Sequence, residues 1–103
     1  MGEVSKMPSA DVALARLDSF LRAYPVRILK SQKLGGVTAD YHCPLAGVVI
    51  LLTRGTVDDL RKPALSAQGL TVLTLRRTAI TRNFDGVCAF IDDTVKHALI
   101  TEK

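Results

Sequence analysis

The chain has 103 residues, of which 48% are hydrophobic and 23% are charged, and its formal net charge is +4. This length suits one domain with a single core, and the high apolar fraction excludes a disordered chain dominated by charge. We therefore expect one domain over residues 1–103, with disorder limited to residues 1–8. The mild positive charge is compatible with a nucleic-acid ligand, but many ordinary proteins carry as much.

Two cysteines, Cys43 and Cys88, lie far apart in the sequence. They form no CxxC motif, and no His/Cys cluster has the spacing of a zinc site. No secretory signal and no apolar run long enough to span a membrane are visible. These patterns predict a cytoplasmic protein with two reduced thiols in its core and without a membrane partner.

The first half of the chain predicts one helix followed by three strands. Apolar residues at intervals of three and four predict an amphipathic helix over Ala10–Ala23, capped by Ser9 and ended by Pro25. The predicted strands are Val26–Ser31, Val37–His42 and Val48–Thr53. Because the turns between them are short, we expect these strands to form an antiparallel meander.

The sequence leaves two starting points for a second helix. Thr56 could cap it, with Asp58 and Asp59 in the first turn. Alternatively the helix begins just before Pro63, because proline is poorly tolerated in a helix interior. Gly69 is predicted to follow the end of this helix, since glycine readily adopts the left-handed conformation found there.

The last third predicts a strand at Leu70–Leu75 and a final helix capped by Asn83. The buried stripe of that helix is predicted to comprise Phe84, Val87, Cys88, Ile91, Val95 and Ala98. A helix between two strands predicts a crossover, with the fourth strand parallel to the third. The whole order predicts a mixed α/β fold in which helices flank a mixed four-stranded sheet.

Asp40 is the strongest candidate for chemistry, because it is the single carboxylate within the predicted hairpin Thr38–Gly55. Removing a charge from water is costly unless a partner compensates. One interpretation is therefore a metal-binding or catalytic acid. The alternative is a structural aspartate that binds backbone amides or an arginine.

Four arginines form a candidate nucleic-acid surface. Arg76, Arg77 and Arg82 follow the last predicted strand, and Arg54 follows the third. Since the ends of parallel strands are common ligand sites, arginines there could contact phosphate groups without reading sequence. The alternative is a solvated loop with ordinary surface charge.

A resemblance to a known family adds to this interpretation. Residues Ala39–Pro44 (Ala-Asp-Tyr-His-Cys-Pro), followed by Val48-Val49-Ile50, resemble a two-part signature, Val-Asp-Phe-Tyr-Cys-Pro and Leu-Val-Ile-Glu-Leu-Asp-Gly. That signature marks a family of small proteins similar to the very short patch repair endonucleases. The resemblance spans roughly Leu14–Ile91. It implies a restriction-endonuclease-like core with helix, three-stranded meander, helix, strand and helix.

The departures from that family concern its active site. Nucleases of this fold hold one divalent ion between an acid on the second strand and an acid on the third. The resemblance gives the first role to Asp40, but Leu51 and Thr53 stand where the family has Glu and Asp. Three other family residues, His, Glu and Arg, are replaced by Val57, Leu14 and Thr74.

The resemblance therefore implies an endonuclease-like domain whose metal site is degenerate, with Asp40 as its remnant and no cofactor. Such a domain would bind nucleic acid, through the four arginines, or a partner protein. One alternative is an active DNA endonuclease in which Asp58 or Asp59 completes a magnesium site. Another is a small interaction module with no nucleic-acid role, and the exposed sheet edge also permits a homodimer.

Overall fold

The computed structural model describes residues 10–53 and 60–101. Their elements, in chain order, are α1 (Ala10–Arg22), β1 (Leu29–Leu34), β2 (Val37–Cys43), β3 (Val48–Thr53), α2 (Arg61–Ser66), β4 (Thr71–Arg76), α3 (Arg77–Arg82) and α4 (Phe84–Thr101). Several predicted features lie outside the described residues: the disorder of residues 1–8, the Ser9 cap, and the roles given to Arg54, Thr56, Val57, Asp58 and Asp59.

The four strands form one sheet in the order β1-β2-β3-β4. Pairing is antiparallel between β1 and β2 and between β2 and β3, and it is parallel between β3 and β4. The helix α2 lies between the two parallel strands in the chain. The predicted mixed α/β fold, with a meander followed by a crossover to a parallel fourth strand, is therefore confirmed.

Each face of the sheet has its own hydrophobic core. The large core is formed with α1, α3 and α4, and its most buried helical residues are Leu17, Ile80 and Ile91. The small core consists of Ala39, Val49 and Leu51 from the strands and Leu65 from α2. The sheet is thus covered by three helices on one side and by the six-residue α2 on the other.

The second strand changes faces at Asp40. In a regular strand, residues two positions apart lie on the same face. Ala39 nevertheless belongs to the small core, whereas Tyr41 belongs to the large core. On the neighbouring strand, Ser31 has a φ of 53°, in the left-handed region. Asp40 is half-buried at this irregular point of the sheet.

The first strand was predicted too early in the chain. The predicted strand Val26–Ser31 is apolar at its start, but Val26 and Ile28 pack against the large core from outside the sheet. The observed strand is Leu29–Leu34, and it continues through a polar segment because it pairs with β2 as far as Leu34 opposite Val37. Tertiary pairing, rather than local hydrophobicity, therefore sets the position of this strand.

The second helix follows the later of the two predicted starts. It begins at Arg61, so Pro63 is its third residue, where a missing backbone N–H breaks no helical hydrogen bond. Gly69 has a φ of 84° and lies two residues after the C-cap Ala67. The glycine therefore supplies the left-handed conformation from which the chain enters β4.

A short helix, α3, was missed by the sequence analysis. The segment Arg77–Arg82 was predicted as a basic segment outside regular structure, with a solvated loop as one interpretation. It is instead a helix whose Ile80 is completely buried in the large core. Two adjacent apolar residues, Ala79 and Ile80, in a six-residue segment give no helical periodicity, so only the tertiary contact reveals this element.

The final helix confirms the predicted cap, because Asn83 Oδ1 accepts a hydrogen bond from the Gly86 amide at 3.1 Å. Of its predicted stripe, Val87, Ile91 and Val95 are buried. Cys88 is only half-buried, so the prediction of two core thiols holds for Cys43 alone. No helix among the described residues is long and apolar enough to cross a membrane.

Candidate functional site at the carboxyl ends of β3 and β4

The Asp40 carboxylate is held by two donors. Its Oδ2 atom accepts a hydrogen bond from the backbone amide of Leu52 at 2.7 Å and another from Arg61 Nη1 at 3.3 Å. The two side chains are about equally shielded, with 34% of Asp40 and 30% of Arg61 exposed. A charged donor and a backbone amide together compensate the partial desolvation of this acid.

Arg61 also binds the backbone of both strands beside Asp40. Its Nη1 donates to the Thr38 carbonyl oxygen at 3.1 Å, and its Nη2 donates to the Leu52 carbonyl oxygen at 3.3 Å. The paired residues of β2 and β3 extend only as far as Tyr41 opposite Ile50. Beyond that pair the Asp40 and Arg61 side chains satisfy backbone groups. We call the three acceptors, Thr38 O, Asp40 Oδ2 and Leu52 O, the oxygen cradle.

Leu51 and Thr53 of β3, which the resemblance aligns with two acids, carry no carboxylate. Leu51 is completely buried in the small core against Ala39, Val49 and Leu65. The Thr53 hydroxyl donates to the Leu75 carbonyl oxygen at 3.5 Å. The acid of β2 therefore has an apolar neighbour and a threonine, rather than a second carboxylate, on β3.

With Arg61 in place, the described residues around Asp40 do not fit a divalent metal ion. Mg²⁺ requires nearly octahedral oxygen ligands and usually one or two carboxylates. The described part of the chain holds no group of three His, Cys, Asp or Glu side chains that could bind a metal ion. Asp40, the carboxylate that the described residues place here, is already paired with a guanidinium. We therefore derive no metal-dependent step from this site.

Three arginines lie near the carboxyl ends of the parallel strands. Arg76 is the last residue of β4, is paired in register with Thr53, and is exposed. Arg77 follows it, and Arg61 binds the carbonyl of Leu52, the residue before Thr53. We call Arg61, Arg76 and Arg77 the basic edge. Arg82 is exposed at the far end of α3.

Arg77 has an unusual environment within the basic edge. Its side chain is half-buried, and its Nε atom is buried without a hydrogen-bond partner among the described residues. A buried guanidinium N–H normally finds an acceptor. Arg77 Nε is therefore an exception to this rule among the described residues.

The sequence analysis gives Arg61 no role. Its acceptors lie on β2 and β3, at positions that no local pattern connects with Arg61. Another missed contact is on the large-core side, where the Arg16 guanidinium lies 4.2 Å from the centre of the Phe84 ring. An exposed arginine above an aromatic ring is a modest stabilising contact.

Two tyrosine–aspartate hydrogen bonds hold the helices of the large core. Tyr41 donates to Asp18 on α1 at 3.0 Å, and Tyr24 donates to Asp92 on α4 at 2.6 Å. Burial, together with the adjacent carboxylate, raises the pKa of each tyrosine well above its ordinary value. Burial also lowers the pKa of the nearby His42, which favours its neutral form.

The architecture is that of an endonuclease-like fold. The chain is similar to the solved catalytic domain of the homing endonuclease I-Bth0305I, with a TM-score of 0.68 and 15% sequence identity. The match covers 92% of this chain and 99% of that domain. No protein-family model matches the chain, and no curated protein matches it either. At this identity the similarity shows the fold alone.

Proposed function

We propose that this chain is a nucleic-acid-binding domain of endonuclease-like fold that does not cleave its ligand. One observation carries the proposal: the Asp40 carboxylate is paired with Arg61, while the neighbouring strand supplies the buried, apolar Leu51. The fold of a nuclease catalytic domain is thus combined with a centre that is poorly suited to hold a catalytic metal ion.

The absence of cleavage follows from the charges at this centre. A hard cation that approaches Asp40 meets the positive guanidinium of Arg61 and finds no second acid at position 51. Displacing Arg61 would also break its bonds to the carbonyl groups of Thr38 and Leu52. Both effects oppose metal binding. Asp40 is therefore assigned a structural role, in which it binds Arg61 and the Leu52 amide rather than a metal ion.

The basic residues support nucleic acid as the ligand. Arg76 and Arg82 are exposed, and the half-buried Arg77 follows Arg76 in the chain. Guanidinium groups match the geometry of phosphate oxygens and can bind two of them at once. Such contacts give affinity that is largely independent of sequence and falls steeply with salt. The same role is proposed for Arg54, which lies outside the described residues.

A salt titration of binding tests this assignment. The full chain would be titrated into fluorescently labelled duplex and single-stranded DNA and RNA at several salt concentrations, with anisotropy as the readout. Arg76→Gln and Arg82→Gln should each weaken binding on every sequence. Each should also reduce the slope of log affinity against log salt by about 1, the value for one lost phosphate contact.

Lys96→Gln is the matched control, because it also removes one positive charge from an exposed side chain. Lys96 lies on α4 and precedes His97, which lines a depression together with Thr71, at the opposite end of β4 from Arg76. This variant should keep the salt slope of the unmodified chain. Equal losses in all three variants would show a diffuse charge effect and would contradict the assigned surface.

A cleavage assay separates the alternatives. Supercoiled plasmid incubated with the chain and Mg²⁺ or Mn²⁺ should stay uncut. Cutting that disappears in Asp40→Ala would instead establish an active nuclease. A failure to bind any DNA or RNA at low salt would refute the nucleic-acid role and would favour a protein-interaction module.

A further inference from the structure

The oxygen cradle has the composition of a cation site, but an arginine of the chain fills it. One carboxylate oxygen and two carbonyl oxygens, from β2 and β3, converge on a single guanidinium at 3.1–3.3 Å. Carboxylates and backbone carbonyls are the ligands that proteins offer to hard cations such as Ca²⁺. Without a positive charge between them, these three oxygens would repel one another in a partly shielded position.

We propose that Arg61 is the resident cation of this site, so that the domain folds and works without a divalent metal ion and takes up such an ion only when Arg61 is removed. The proposal rests on the non-cleaving part of the proposed function and does not depend on nucleic-acid binding. It makes Arg61 a positioning residue for the strand ends that carry the basic edge.

A guanidinium suits this position better than a free ion. It stays protonated at all physiological pH values, and its planar fork of N–H groups can reach acceptors on two strands at once. Because Arg61 is tethered to the first turn of α2, its charge is always present at high effective concentration. A free cation must therefore displace a bound competitor to reach Asp40.

The same contacts fix the shape of the sheet where β2 and β3 separate. Nη1 holds the Thr38 carbonyl on β2, and Nη2 holds the Leu52 carbonyl on β3. The Leu52 amide is held in turn by Asp40. Leu52 is the residue before Thr53, which is paired with Arg76. Arg61 therefore fixes the end of β3, next to Thr53, the residue that is paired with Arg76 of the basic edge.

Manganese binding to the full chain tests the proposal without any nucleic acid. Mn²⁺ would be titrated into the protein, with free ion measured by electron paramagnetic resonance and thermal unfolding followed in parallel. The unmodified chain should show no site that depends on Asp40, and its melting temperature should be equal in Mn²⁺ and in EDTA.

Arg61→Met removes the charge and keeps an unbranched apolar side chain. This variant should bind Mn²⁺ at least about ten times more tightly than the unmodified chain, and Mn²⁺ should raise its melting temperature. Adding Asp40→Asn to Arg61→Met should abolish both gains. Arg76→Met is the matched control for metal binding: it removes an arginine from the same edge but leaves the cradle filled, so its Mn²⁺ affinity should equal that of the unmodified chain.

Three results would overturn the proposal. The first is Mn²⁺ binding by the unmodified chain that Asp40→Asn removes. The second is a folded Arg61→Met chain with no gain in Mn²⁺ affinity. If Arg61→Met is unfolded without metal, recovery of its circular dichroism on adding Mn²⁺ supports the proposal, and the absence of recovery is the third contradicting result. None of these readouts changes if the domain fails to bind nucleic acid, so this proposal and the nucleic-acid part of the proposed function fail separately.

Discussion

The two faces of the sheet are stabilised in different ways. On one face, α1, α3 and α4 enclose the large core, where Leu17, Ile80 and Ile91 are completely buried. On the other face, the six-residue α2 contributes Leu65 to a small core and is tied to the strands by Arg61. The large-core face carries most of the apolar packing, and the candidate site lies beside the thinner layer.

The polar contacts follow the same division. On the large-core face, Tyr41 and Tyr24 join helices to the fold through Asp18 and Asp92. Near α2, one ion pair between Asp40 and Arg61 is combined with bonds to backbone groups of both strands. The comparison teaches that global stability and the shape of the candidate site depend on different residues, and it can be tested with substitutions on each face.

The largest expected effect distinguishes the two cores. Ile91→Ala should lower the free energy of unfolding by about 4 kcal/mol, because three helices cannot easily close the cavity. Leu65→Ala should lower the free energy of unfolding by about 2 kcal/mol, since the short α2 can move into the space that the Leu65 side chain leaves. Urea unfolding measures both values.

Amide hydrogen exchange shows which parts of the structure each cavity destabilises. In Ile91→Ala, amide exchange should accelerate throughout the described sheet and helices, because the global free energy falls. In Leu65→Ala, the acceleration should be concentrated in α2 and the adjacent strand ends. If Leu65→Ala accelerated exchange in α4 as strongly as in α2, the two faces would form one cooperative unit and the comparison would be wrong.

A smaller effect is expected for the tyrosine hydroxyls. Tyr41→Phe should cost about 1 kcal/mol, because Tyr41 is buried and its loss removes a bond to a charged acceptor. Tyr24→Phe should cost less, since the Asp92 side chain is 38% exposed and water can replace the lost donor. Urea unfolding of both variants checks the order. A larger loss of unfolding free energy in Tyr24→Phe than in Tyr41→Phe would contradict this order.

The smallest effect concerns acid stability. Burial raises the pKa of Asp18, but the Tyr41 hydrogen bond and the nearby Lys30 and Arg22 charges outweigh it and lower the pKa below its ordinary value. A lowered pKa in the folded state adds stability that is complete above the unfolded pKa, about 3.9, and is lost as the pH falls through the folded pKa.

Asp18→Asn removes this contribution, so its unfolding free energy should fall less than that of the unmodified chain between about pH 5 and pH 2. Asp93→Asn, at an exposed position on α4, is the matched control for the loss of one carboxyl group. Equal acid sensitivity in Asp18→Asn and the unmodified chain would show that Asp18 contributes nothing to the pH dependence.

Much of the fold could be predicted from the sequence, because apolar spacing and turn residues act locally. The apolar run Val48–Leu52 predicted the third strand, Val48–Thr53, and Asn83 predicted the start of α4. The polar strand Leu29–Leu34 and the helix α3 depend on tertiary partners and were missed or misplaced. The sequence singled out Asp40, and a bond to an arginine was one of the two interpretations it left open.

The identity of that arginine could not be predicted. Arg61 follows Asp40 by 21 positions, and the two side chains meet where β2 changes faces. On the neighbouring strand, Ser31 has a positive φ. Neither Asp40 nor Ser31 has a local sequence signature for such an irregularity. The role of Asp40 therefore depends on a three-dimensional irregularity that periodicity in the sequence does not record.

The most direct test of the central claim is a crystal structure of the full chain grown with Mn²⁺, with anomalous scattering used to locate the metal. We predict that no anomalous peak lies near Asp40 and that the Arg61 guanidinium contacts Thr38 O, Asp40 Oδ2 and Leu52 O. An anomalous peak within coordination distance of Asp40, about 2.2 Å, with Arg61 displaced from the cradle, would contradict the account.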